Sequence, residues 1–225
     1  MKKFELTSEF VTFLGKKLFR IKALISFGNV EEGELGGYVE KEENLSNDGN
    51  AWVSGNAWVY GNAWVSGNAW VYGDARVYGD ARVYGDARVC GDAWVYGDAR
   101  VCGDAEVYGD ARVYGDARVS GNAWVYGNAW VSGNAWVYGN AWVSGNAWVS
   151  GNADYSTVHG FGSEYRTTTF FRTKAGDIGV RCGCFYGTLE EFRAKVKETH
   201  GETKTAKEYL RVADLMEFRF SKEEV

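Results

Sequence analysis

All ten tryptophans of this chain and six of its arginines share one position of a six-residue repeat, Gly-Asn/Asp-Ala-x-Val-x. The repeat runs eighteen times from Gly49 to Ser156 with no insertion. Indole faces stack on planar groups, and guanidinium groups pair with anions as well as stack on rings. Tryptophan and arginine at a fixed spacing are therefore the means of holding something planar and negatively charged, not of breaking a bond. Residue types that make and break bonds are scarce. The repeat contains no histidine; only His159, just after it, and His200, at the end of a predicted helix, are available. His159 reads as a capping residue and His200 as a ring favoured in its cationic form by a helix C-terminus. Cys182 and Cys184 are separated by one residue, so strand alternation places both sulfurs on one buried face and favours core packing over a metal site. No cofactor is expected.

The elements that position these residues follow from the hexad. Alternate residues of an extended strand point to the same side. Alanine and valine thus face inward together, while the residue between them and the residue after valine face out. Gly-Asn or Gly-Asp then supplies a corner, since both residues tolerate positive φ. A fixed short period of this kind is the mark of a solenoid. Glycine at 30 residues with no proline is strictly periodic here, so it belongs to an ordered repeat.

The pattern resembles the transferase hexapeptide-repeat family over about residues 49–156. Ala51 with Val53, Ala57 with Val59, and so on to Ala147 with Val149 match the small and aliphatic inward positions of that family. The resemblance implies a mainly β protein, a single-stranded left-handed parallel β-helix with three hexads to a coil. Val39 and Leu45 read as a degenerate first coil, with Asn47-Asp48 as a two-residue corner insertion, giving about six to seven coils. Outward residues eighteen apart then stack in columns. One reads Trp64, Arg82, Arg100, Arg118, Trp136; a second Trp58, Arg76, Trp94, Arg112, Trp130, Trp148; the third Trp52, Trp70, Arg88, Glu106, Trp124, Trp142. All ten tryptophans are expected on the outside. The corner residue is Asp from Asp74 to Asp116, so an Arg/Asp belt lies between Trp/Asn ends, and neighbouring Asp offsets the arginine charge.

The flanks differ in composition. Residues 1–36 contain apolar alternation around Gly15-Lys16-Lys17, a hairpin that would cap the open end of a β-helix spanning 37–156. Residues 157–225 read as a small α+β domain, ββααβ in order. Its strands are Tyr165–Arg172 and Ile178–Phe185, its first helix starts at the capping box Thr188–Glu191, and a second helix starts at Thr205. A last strand is expected at Phe218 and Phe220. The flanks are similar to ends found around such repeats in uncharacterised bacterial and prophage proteins.

Net charge is −5 and no basic tail exists, so nucleic acid and anionic membrane are not expected partners. The beginning lacks the apolar stretch of a secretory signal, and the cysteines do not form a disulfide framework. A bacterial cytoplasm, with the gene of host or phage origin, is the expected setting. The function read from these residues is a non-catalytic, homo-oligomeric binding scaffold, a trimer by the family resemblance. Its ligand would be a small anion or nucleotide, held by Trp64, Arg82, Arg100, Arg118 and Trp136. The alternatives are an acyltransferase with His159 as base, since the resembled enzymes use a coil histidine, and a purely structural phage or surface-assembly protein.

Overall fold

The computed structural model describes residues 2–221. Strands β1 (Phe4–Phe13) and β2 (Lys16–Ala23) form the N-terminal hairpin, and β3 (Leu35–Val39) follows. The hairpin turns at Leu14-Gly15, both with positive φ. From β4 (Trp52–Val53) to β20 (Trp148–Val149) the chain makes one two-residue strand per hexad. Each strand pairs in parallel with the strand three hexads away, so that Trp64 lies beside Arg82 and Val65 beside Val83. The strands form three sheets along the axis of a β-solenoid of about six turns. The inward alanines and valines of these hexads form one continuous core, and none of them is more than 2 % exposed.

Corners turn at glycine, with φ between +58° and +74° from Gly49 to Gly145. Successive glycines stack so closely that a Cβ on Gly85 would lie 2.9 Å from the Gly103 nitrogen. Left-handed φ and crowding together explain why no other residue occupies this position. The eighteenth hexad departs from expectation. Gly151 is not in the left-handed region, Ala153 is exposed, and Asp154 accepts from the Ser150 and Gly151 amides. With Asp-Tyr in place of x-Val, the chain leaves the coil here.

Val39 pairs with Val59 and Leu45 bridges Val65, each twenty residues on. Tyr38, Glu40 and Ser46 donate their amides to the Ala57, Val59 and Val65 carbonyls of the first full turn as a preceding turn would, but four other carbonyls of that turn accept from side chains instead. Lys3 Nζ donates to the Gly49 and Ala51 carbonyls, and Asn44 Nδ2 donates to those of Gly61 and Ala63. The Phe27 ring stands edge-on to Trp52 at 5.4 Å between centroids. Trp52 is 1 % exposed. One tryptophan expected outside is thus outside its coil but buried beneath the N-terminal cap.

At the other end β21 (Tyr155–Val158), β22 (Thr168–Arg172), β23 (Ile178–Cys182) and β24 (Phe185–Thr188) form an antiparallel sheet. Helices α1 (Leu189–His200) and α2 (Lys204–Phe220) pack on it around Phe170, Val180, Phe192 and Met216. The order is therefore ββββαα, not ββααβ. The expected last strand is the end of α2, because Ala213, Met216 and Phe220 continue a helical stripe, leaving Phe220 buried and Phe218 exposed. The cap of α2 is Thr203, whose hydroxyl accepts from the Ala206 amide, two residues before the expected Thr205. Thr188 and Glu191 do form a reciprocal capping box at α1. Cys182 and Cys184 do not share a buried face: Gly183, with φ +56°, turns the chain between β23 and β24 and leaves Cys184 exposed.

Candidate functional site

Five-strand register brings Trp64, Arg82, Arg100, Arg118 and Trp136 into one column on one face. Rings one turn apart elsewhere on the solenoid stand 4.9–5.0 Å from each other. The three guanidinium groups therefore repeat at ~5 Å, where neighbours repel by roughly 1 kcal/mol in water.

The three faces treat their arginines differently. On the Trp58 face Arg76 lies between Trp58 and Trp94, 4.5 and 5.2 Å from their centroids. Arg112 lies 5.0 Å from both Trp94 and Trp130. Beside them Tyr60, Tyr78, Tyr96 and Tyr114 form a stacked ladder, and burial pushes the Tyr78 phenol up to about 12. On the Trp52 face Arg88 pairs with Glu106 at 3.5 Å, and Trp124 stacks on Trp142 at 4.9 Å. On the Trp64 face, Arg82, Arg100 and Arg118 are exposed. Among the described residues they have neither an ion pair nor an aromatic ring beneath them. The corner Asp residues do not contact them, so the expected local neutralisation does not occur through ion pairs.

The Trp64 face is also the open one. The hairpin extends the Trp58 face, where Phe13 packs 5.1 Å from Trp58. Lys174, beyond β22, lies 5.6 Å from the Trp130 ring. On the Trp52 face the N-terminal cap buries Trp52, and Arg181 of β23 lies 5.3 Å from Trp142. By contrast Trp64 is 42 % exposed and Trp136 46 %. Trp136 is held rigidly: its Nε1 donates to Ser120 Oγ at 2.9 Å and its ring tilts against Tyr138 at 5.3 Å. A cleft of about 350 Å³ opens there, lined by Trp136, Tyr138, Asn152, Tyr155 and Arg219 among others. Tyr138 and Arg219 were missed in the sequence. Tyr138 is signalled by its outward place two residues after Trp136; Arg219 was concealed by reading the end of α2 as a strand. Nearer the middle of the face, the Tyr84 phenol is raised by the Cys102 thiol beside it and by burial.

His159 lies elsewhere, exposed, with Nδ1 3.2 Å from Thr167 Oγ1. It lines a separate cleft of about 440 Å³ between the Trp124–Trp142 pair and the C-terminal sheet, with Arg166 on its rim. The structure does not bring it to the arginine column. No group of three or more His, Cys, Asp or Glu side chains among the described residues is placed to hold a metal ion. No helix among them is long and apolar enough to cross a membrane.

The hexads match the model of the YdcK β-solenoid repeat in overlapping windows that together take in residues 57–103 and 105–151. No curated protein is similar to the chain. The repeat match and the coil geometry agree on a repeat β-solenoid protein.

Proposed function

We propose that this repeat β-solenoid protein is a non-catalytic binding scaffold that assembles with copies of itself and takes up negative charge on the Trp64 face. One observation carries the reading: the arginines of the other two faces are occupied within the chain, whereas Arg82, Arg100 and Arg118 are not. Charged groups stacked at ~5 Å without a partner are held by the backbone register at the expense of mutual repulsion, which an external anion relieves. Exposed Trp64 and Trp136 at the two ends of the column suit a ligand with a planar part, so a nucleotide is the small molecule of choice. Left-handed winding and a setting inside bacterial or phage-infected cells are the further parts of this reading, supported by the hexapeptide resemblance; three copies is the count that resemblance implies, and it competes with the two argued from charge below.

The test is thermal unfolding with ATP and with tripolyphosphate. A ligand at 100-fold its Kd stabilises the folded chain by about 2.7 kcal/mol, visible as a raised Tm. The shift is expected to vanish in R82Q/R100Q/R118Q and to persist in R76Q/R112Q. Equal shifts in both variants would sink the reading. The acyl-transfer alternative rests on His159, and a thioester-dependent transfer abolished by His159→Ala would overturn the non-catalytic reading.

A further inference from the structure

Two residues before each arginine of the open column stands an aspartate: Asp80, Asp98 and Asp116 precede Arg82, Arg100 and Arg118. These aspartates occupy successive turns of one corner, so they form a second column of the same pitch and the same three levels. All six side chains are exposed. None makes an ion pair among the described residues; Asp80 accepts from Asn62 Nδ2, the amide next in its own column, at 3.1 Å. Each aspartate sits in the corner turn that leads into the strand of its arginine, so two residues of chain put the acidic column at most ~7 Å from the basic one, along the edge of the same face. The face thus carries a basic rail and an acidic rail, side by side.

Such a surface is complementary to itself in one orientation only. A two-fold axis parallel to the solenoid axis and midway between the rails places each arginine opposite an aspartate at every level. Arg82 then faces the partner's Asp80, Arg100 the partner's Asp98, and Arg118 the partner's Asp116, and each pairing recurs in the reverse sense. At the ends Trp64 meets the partner's Asn62, whose Oδ1 accepts from Lys41 Nζ at 3.4 Å, and Trp136 the partner's Asn134, so each exposed ring is covered by an amide. A face-to-face two-fold axis lying across the face would instead set arginine against arginine, which like-charge repulsion forbids.

The geometry points to a second copy of this chain as the partner of the Trp64 face, docked in parallel with its rails interleaved. The inference rests on the reading that this face is the working one. It assigns the anion to the partner's aspartates and a two-fold contact in place of the threefold count. The contact is isologous, so it closes at two copies and builds no filament. Individually weak exposed pairs act together here because the coil fixes both pitches at the same value.

Sedimentation velocity on the full chain tests it. A mass about twice that of one chain is expected at about 50 mM salt, falling to one chain at about 1 M, where screening shortens to ~3 Å. R82Q/R100Q/R118Q and D80N/D98N/D116N should each be monomeric at low salt with unchanged far-UV circular dichroism. The charge-reversed triples R82E/R100E/R118E and D80K/D98K/D116K should be monomeric alone and form a dimer when mixed. A wild-type monomer at low salt, a threefold mass, or neutral variants that still dimerise would overturn the inference. If the chain is monomeric yet binds ATP through its arginines, the rails fail and the ligand reading stands. If it dimerises through the rails and binds neither ATP nor tripolyphosphate, the ligand reading fails and the rails stand.

Discussion

Gly91 and Gly139 have nearly the same backbone, φ +66° and +68°, yet different surroundings. A Cβ on Gly91 would lie 3.0 Å from the Gly109 nitrogen, while one on Gly139 meets nothing within 4 Å because no equivalent turn follows. Alanine at Gly139 should therefore cost only the left-handed strain, on the order of 1 kcal/mol. Alanine at Gly91 adds overlap with backbone that cannot move without its own turn, raising the cost to about 2–3 kcal/mol. Urea unfolding of the two variants measures the difference, and equal losses would refute the crowding account. The same scale explains which arginines are available. Arg76 and Arg112 have tryptophans on both sides in their column and are absorbed by them. Arg88 has Glu106 as its neighbour one turn on, and Arg100 has only arginines.

At the scale of elements, the ends set what a parallel solenoid must solve, since its first turn has no predecessor. Asn44 satisfies two carbonyls with one buried amide. Asn44→Ala should cost about 1–3 kcal/mol per carbonyl left dry, read by the same denaturation, while Asn62→Ala, an exposed corner, should cost far less. The coil, its inward residues and its outward columns were all legible, because a six-residue period repeats one geometric decision many times. The ends were not, because each is decided once and by contacts distant in sequence. That Trp52 lies under Phe27, or that Lys3 reaches Ala51, depends on how the hairpin folds back, and no local pattern encodes it. Phe218 and Phe220 show the same limit in miniature: two alternating aromatics mimic a strand, and only packing of Met216 and Phe220 on the second core identifies the helix. Within the candidate site the column of five was readable, whereas the openness of its face was set by where the two caps chose to sit.

For the whole molecule, stability should vary with pH in two opposite limbs. Burial lowers Lys3 to about 8, so between there and its ordinary 10.5 the unfolded chain binds the extra proton and stability rises with pH. Tyr78, Tyr108, Tyr155 and Tyr209 are pushed up to about 12, chiefly by burial. Between pH 10 and 12 the folded chain keeps protons that the unfolded one loses, and stability falls over that window. The thermal midpoint should climb from pH 8 towards 9, level off as the half-buried Cys90 thiol, raised from its ordinary 9.0, opposes Lys3, and drop above 10, and Lys3→Met should flatten the first limb alone. A midpoint that only declines from pH 8 upward would contradict the role given to Lys3.

The stacked glycine corners carry one more consequence. Between the two ends each turn is closed by the same eighteen-residue arithmetic, so a whole inner turn can be cut out or copied between equivalent corners with the packing of its neighbours kept. Length in this protein is a dial, graduated in steps of ~5 Å.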